Sequence, residues 1–281
     1  MEYSELQHFI LTRFNLLLWN KAKDGQNVRT TEWLEHRFLL FERFCLPSLK
    51  NQTCQDFDWI VLFDSMTPDI FKARIAGYQK EFPRLIPIFV ESKNGRYFAK
   101  IFKMEMVRRL CSKRVVSTYL DNDDALNVRF VEDIQLRVRS LSDGTFIFYD
   151  EGYQYFKDEK YMMQLSFPKN HFVSVVEESN PNAMKGVFGY GSHYYINKIE
   201  GVKIEHVKGL RMWCEVVHDK NVMNDAKYLN SRMIEGQNVL KSDFAIDAEV
   251  DVGFGLYVFN FLPRYIKIFV RRIREHLFNK K

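Results

Sequence analysis

Three features of the 281-residue sequence predict an α/β body with a mostly parallel central sheet and a mixed or antiparallel second half. Up to residue 126, strand-length apolar runs alternate with helical stripes, the pattern of parallel strands joined by crossover helices. From Gly152 to Ile204 short alternating segments take over, as in antiparallel sheet. Hydrophobic residues make up 46% of the chain and aromatics 15%, enough to fill one large core. Gly (13) and Pro (7) are scarce, with neither linker nor repeat to divide it.

The elements follow in order. His8 to Phe14 reads as a buried strand, and Thr30 to Leu49 as a helix with Trp33, Leu34, Arg37, Leu40, Phe41 and Phe44 at helical spacing. Pro47 predicts a bend near that helix's end. Trp59 to Phe63 is a strand closed by Asp64 and the turn Thr67-Pro68-Asp69; Ile70 to Phe82 is a helix and Leu85 to Val90 a strand. After Lys93-Asn94-Gly95 a helix spans Arg96 to Cys111, and Arg114 to Leu120 forms the fourth strand. Phe130, Ile134, Val138 and Leu141 mark another helix, and Thr145 to Tyr149 another strand. In a parallel sheet, ligands sit beyond the carboxyl ends of the strands. Thr12-Arg13, Asp64 and Asp121 fall at such ends, so the fold would gather them on one rim.

Composition narrows the chemistry. From Arg264 to Lys281 seven basic residues face one acidic, a net +6, whereas the rest balances 34 Lys and Arg against 35 Asp and Glu. A nucleic-acid-binding domain carries its basic face within the fold, so nucleic acid is not an expected partner. Cys45, Cys54, Cys111 and Cys214 form neither a zinc pattern nor a disulfide framework and read as reduced thiols of a cytoplasmic protein. The first 25 residues lack a charged-then-apolar signal, and no apolar run is long enough to span a membrane. P-loop, dinucleotide-fold and nucleophile-elbow motifs are absent.

The densest signal is Tyr119-Leu120-Asp121-Asn122-Asp123-Asp124-Ala125-Leu126. On extended backbone Asp121 and Asp123 share a side and can meet one cation, and hard cations such as Mg²⁺ or Mn²⁺ take carboxylate and phosphate oxygens. The same residues could equally cap a turn and a helix start. His218, in Trp213-Cys214-Glu215-Val216-Val217-His218-Asp219-Lys220-Asn221, could complete a metal shell or serve as an ordinary hydrogen-bonded histidine.

These residues carry a resemblance. Lys93-Asn94-Gly95-Arg96, Ala99-Lys100 and Arg114 to Leu126 resemble the nucleotide-sugar half of GT-A glycosyltransferases, in which a glycine loop and helix precede the strand bearing a DxD motif. More closely, the chain resembles the bacterial family described as putative rhamnosyltransferases. The marks are Thr12-Arg13-Phe14-Asn15, Trp33-Leu34 with Arg37, Leu40-Phe41-Glu42, Leu46-Pro47-Ser48-Leu49, Gln52, Phe57 and Trp59, then Asn170 to Glu177 and Trp213 to Asn221. The resemblance implies a GT-A, Rossmann-like fold within residues 1–263, with 1–126 holding the donor and 127–263 the acceptor. It implies Mn²⁺ or Mg²⁺ on Asp121, Asp123 and His218. Thr12, Arg13, Asn15, Asp64, Lys100, Asp121 and Asn122 would line the nucleotide-sugar site.

Sugar transfer with inversion needs a carboxylate base on the acceptor side. Glu177, at the end of an apolar run, comes first, with Glu215 and Asp150 as rivals. The expected activity is transfer of a sugar, such as rhamnose, from a nucleotide sugar to a glycan or lipid-linked acceptor in cell-surface polysaccharide or lipopolysaccharide synthesis. A non-catalytic carbohydrate-binding protein and a metal-dependent nucleotidyltransferase are the alternatives. Tyr265, Ile266, Phe269, Ile273 and Leu277 give residues 264–281 the pattern of a basic amphipathic helix. Such a helix can rest on an anionic membrane surface, on the inner face of the cytoplasmic membrane for this enzyme, or dock on the body.

Overall fold

Among the described residues ten strands, numbered β1 to β10 along the chain, form one sheet in the order β10-β7-β6-β8-β4-β1-β2-β3, with β9 and β5 off that path. The computed structural model describes residues 4–18, 30–218, 231–251, 253, 255, 258–259 and 262–278. β1 (Ser4–Arg13), β2 (Asp58–Asp64), β3 (Leu85–Val90) and β4 (Ser112–Tyr119) are parallel neighbours. Their apolar runs alternate between two covered faces, as a sheet buried on both sides requires. Ile10, Trp59 and Val61 pack with Phe38 of α1 (Thr31–Leu40), Phe71 and Ile75 of α3 (Asp69–Glu81), and Phe130 and Ile134 of α5 (Phe130–Val138). Phe9, Leu11, Ile60 and Leu62 pack on the other face with Phe102 and Met106 of α4 (Phe98–Val107). The sheet is therefore the middle layer of three.

The long first helix is interrupted. Thr30 caps α1 by accepting from the Trp33 amide at 3.1 Å, but Phe41–Cys45 winds as a π turn before α2 (Leu46–Lys50). Pro47 has no N–H to continue the α-helical ladder, which is where the regular winding yields. The helix expected over 96–111 likewise opens as a 3-10 segment, Ser92–Tyr97, before α4 begins.

The second half is mixed. β8 (Val173–Glu178) pairs antiparallel with β4, and β6 (Thr145–Phe156) antiparallel with β8, so β6 runs in the direction of β4. β9 (Lys203–Val217) lies parallel along one edge of β6, while β8 and then β7 (Tyr161–Ser166) take successive parts of the other. β10 (Ser231–Ile234) continues from β7, and β5 (Ala125–Leu126) pairs with β9 through Ala125–Cys214 and Leu126–Trp213. Gly152 permits the closest approach here: a Cβ would lie 2.1 Å from the Trp213 ring. Met162, Tyr155, Phe44 and Leu240 of α6 (Gln237–Phe244) close a further cluster.

Several sequence expectations shift. The strand from Thr145 continues to Phe156, and the segment around His193–Lys198, expected as extended, is a 3-10 helix. The chain from Leu262 to Phe278 is a helix, α7; residues 279–281, and Asp219-Lys220-Asn221 of the second motif, lie outside the described residues. All four cysteines are free, and among the described residues no helix is long and apolar enough to cross a membrane.

Candidate active site

Register alone gathers the site. Ile10 of β1 pairs with Thr118 of β4, Thr118 with Ser174 of β8, and Ser174 with Ile147 of β6, forming one row across four strands. Three residues beyond that row, toward the same rim, stand Arg13, Asp121, His171 and Asp150. Neighbouring strands are about 4.8 Å apart, so Asp150 overhangs the rim about 10 Å from the strand carrying Asp121. Glu177 lies three residues from Ser174 in the opposite direction, level with Val115.

The acidic loop is strapped between the halves. The Asp124 carboxylate is fully buried; it accepts from the Val216 amide at 2.8 Å and meets His171 Nε2 at 2.8 Å. Burial pushes the Asp124 carboxyl up to about 7 against the pull of His171, helped by the fields of Asp123 and Glu215. Burial alone would lower His171, but Asp124, Asp121 and Glu215 outweigh it and raise the imidazole. The two form one buried hydrogen-bonded pair. Asp121 stays partly exposed; it accepts from the Tyr119 hydroxyl at 2.8 Å and lies 3.9 Å from His171 Nε2. The ligand atoms of Asp121, Asp124 and His171 lie within 4.8 Å of one another, a size that suits one oxygen- and nitrogen-liganded divalent ion.

Asp123 turns the other way. Its Oδ2 accepts from Arg37 Nη1 at 2.9 Å and lies 3.0 Å from His218 Nε2. Burial works to raise this carboxyl, yet Arg37 and His218 prevail and hold it below the usual carboxylate range. Arg37 also donates to the Asn122 side chain, whose amide in turn donates to Phe14 O at 3.1 Å. Cys45, at the end of the π turn, sits under the loop with its sulfur 3.6 Å from Asp121 O. Burial, then the fields of Asp124, Asp123 and Asp121, push its thiol well up, so it is an inert neighbour.

The predicted donor residues fall into two groups. Arg13 is caged by the rings of Phe98, Phe188 and Tyr119, with its guanidinium carbon 4.8, 5.2 and 5.4 Å from their centroids. It donates to the Tyr119 hydroxyl at 2.7 Å and lies 3.7 Å from Asp121, while its buried Nε has no partner. Burial acts to lower the Arg13 guanidinium, but Tyr119 and Asp121 outweigh it and strengthen its charge. Asp64 accepts from the Met66 amide and the Ser92 hydroxyl at 2.8 Å, and its own amide donates to Asn15, which also holds Thr67. These residues shape the rim beyond β2. Thr12 points into the core, accepting from Trp59 Nε1 at 2.9 Å, and Lys100 is exposed on α4.

The candidate bases are equally distinct. Glu177 accepts from the Lys185 and Gly186 amides at 2.8 Å and from the Tyr190 hydroxyl at 2.9 Å. It anchors the loop that carries Phe188, on the level away from the rim. Glu215 is buried and accepts from Gln154 at 2.7 Å. Asp150 is buried at the rim, 2.6 Å from Nδ1 of His206, whose side chain is 42% exposed. Of the three, the structure brings Asp150 alone to the level of Asp121.

His171, Asp124, Arg37 and His206 take places that reading the sequence did not assign. His171 and Arg37 lie inside the motifs quoted above and Asp124 inside the acidic run, so a signal existed without a role. His206 sits in a charged, irregular stretch that carried none. His193, its ring 6.0 Å from His171, and the exposed Tyr194 and Tyr195 add an aromatic edge beside the rim.

Several solved structures are similar. S. aureus TarS shares 11% identity with a TM-score of 0.42, over 76% of this chain and 37% of that one. TarS 1-349 in complex with UDP shares 10%, with a TM-score of 0.39 over 76% and 60%. A "putative nucleotide-diphospho-sugar transferase" from Desulfovibrio desulfuricans G20 shares 9%, with a TM-score of 0.38 over 77% and 83%. These likenesses are distant, and the α/β assignment rests on the strand order given above. No curated protein matches the chain significantly. The family model described as "Putative rhamnosyl transferase" matches residues 7–228, which include every rim residue named here, and the chain belongs to that glycosyltransferase family.

Proposed function

We propose that the chain transfers a sugar, with rhamnose the first candidate, from a nucleotide-sugar donor to a glycan or lipid-linked acceptor in cell-surface polysaccharide or lipopolysaccharide synthesis. Residues 1–126 hold the donor and 127–263 the acceptor. The observation that carries this reading is the partly exposed Asp121 at the carboxyl rim, with Asp124 and His171 close enough to share one ion. Mg²⁺ or Mn²⁺ held there supplies positive charge against the leaving nucleoside diphosphate. Arg13, fixed in its aromatic cage beside Asp121, orients the diphosphate through charge-assisted hydrogen bonds. His171 Nε2 and Asp124 Oδ2 lie 2.8 Å apart, and an ion bound between them would need both deprotonated. Asn15, Asp64 and the backbone they hold form the nucleoside side of the pocket, with Asn122 bracing the loop behind it. Thr12 supports that wall from the core, and Lys100 reaches toward the donor from α4.

For the acceptor, Asp150 and His206 form the base. The buried Asp150 carboxylate orients the imidazole through Nδ1, leaving Nε2 to accept the proton of the attacking hydroxyl. Glu177 serves as the anchor of the Phe188 loop. A second ligand set, Asp121 with Asp123 and His218, is favoured by the 3.0 Å approach of His218 to Asp123.

Isothermal titration with a panel of nucleoside diphosphates, with and without Mn²⁺, tests the donor site. The expected result is metal-dependent binding of one nucleotide, lost in Asp121→Ala. His171→Ala abolishing the Mn²⁺ dependence supports the first ligand set, and His218→Ala doing so supports the second. A folded protein that binds no nucleotide overturns the reading.

A further inference from the structure

α7 carries an unburied apolar face. Leu262, Ile266, Phe269, Val270 and Ile273 follow one another at helical spacing and are 36%, 51%, 49%, 40% and 43% exposed. An amphipathic helix packed on its own core buries that stripe; here the contact with the body among the described side chains lies at one edge of it, at Tyr265, whose ring stacks on Phe269 at 6.5 Å. Tyr265 touches the small cluster of Phe156, Tyr161 and Met163. Within 262–278 the sequence sets Arg264, Lys267, Arg271, Arg272 and Arg274 against the single acidic Glu275. Lys267 and Arg274, seven residues apart and both exposed, flank the stripe on one side. Seventeen residues of helix extend about 26 Å, enough to rest along a bilayer surface and too short and too charged to cross one.

We infer that this face docks on an anionic lipid surface, the apolar stripe entering the headgroup boundary while the basic residues meet lipid phosphates. Charge complementarity selects lipid over a second copy of the chain, since two such helices would bring like charges together. The body carries no comparable excess of positive charge, so attraction is confined to this helix. The inference is independent of the donor reading: it concerns where the protein sits, and its test measures no sugar transfer.

The experiment is flotation of the full chain with phosphatidylcholine vesicles and with vesicles of phosphatidylcholine and phosphatidylglycerol. Binding is expected only to the second, weakening as salt rises. Phe269→Asp/Ile273→Asp and, separately, Lys267→Glu/Arg274→Glu should each reduce the bound fraction at least about tenfold. All four side chains are exposed, so circular dichroism and nucleotide titration should match the parent and separate this result from misfolding or a failed donor site. Equal binding to neutral vesicles, binding that survives both pairs, or no binding with self-association lost in Phe269→Asp/Ile273→Asp would overturn the inference.

Discussion

Asp121, Asp123 and Asp124 occupy four consecutive positions and meet three different fates. Asp121 faces the rim, Asp124 is paired with His171, and Asp123 is held by Arg37 and His218. The acidic run was legible in the sequence. This division was not, because the partners come from α1, the start of β8 and the end of β9, which only the fold brings together. Removing Arg37 leaves a buried carboxylate without its strongest counter-charge, a costly change. Arg37→Ala should therefore lower stability by up to about 3 kcal/mol in urea unfolding, whereas Asp121→Ala should leave stability nearly unchanged and abolish nucleotide binding. Asp150→Asn should keep donor affinity and reduce kcat by about two to four orders of magnitude; an equal loss of donor binding would remove it from the acceptor side.

At the level of elements, the alternation of apolar runs located all four parallel strands and the helices between them, because a sheet covered on both faces leaves a long, unambiguous signal. β9 was hidden. Its first part reads Lys203, Glu205, His206, Lys208 and Arg211, a half-exposed strand whose pairing with β6 rather than its own pattern defines it. The π turn was legible only as a proline. Where α1 and α3 meet, Arg74 Nε and Nη2 donate to Glu42 at 2.6 Å and Nη1 to Glu35 at 2.8 Å, with the Tyr78 hydroxyl also on Glu42. Burial would raise Glu42, but Arg74 and Tyr78 hold it below its ordinary 4.5. A carboxyl depressed by folding contributes stability that is fully present above its unfolded value and lost as pH falls through its folded one. Partial exposure limits the effect, so Arg74→Met should cost about 1 kcal/mol at neutral pH and less in acid. Thermal unfolding of both proteins across the acid range checks the sign. Gly152→Ala should destabilise by about 1–3 kcal/mol through its clash with Trp213, with a partial return of stability in Gly152→Ala/Trp213→Leu.

For the whole molecule, one sheet passes through the parallel first half and the mixed second half without a break, and β5 ties the acidic loop to β9. Amides of β1 and β6 should then exchange with solvent through one shared opening, and a bound nucleotide should slow both alike; slower exchange in β1 alone would mean that the halves open separately. The sequence carried the fold class and the rim of strand-end residues, since both follow from order along the chain. It could not carry the placing of Asp150 beside that rim, which depends on β8 entering between β4 and β6.

That insertion has a consequence for the chain as it leaves the ribosome. β1 to β4 are complete by Tyr119, but the outer edge of β4, from Arg114 to Thr118, is satisfied only by β8, more than fifty residues later. During that interval the nascent chain presents an open row of peptide groups flanked by Val115 and Val116, a template for pairing with a neighbour on the same messenger. A chain released after residue 126 should therefore aggregate, and one released after residue 218, with β8 on β4 and β9 on the edge of β6, should do so far less.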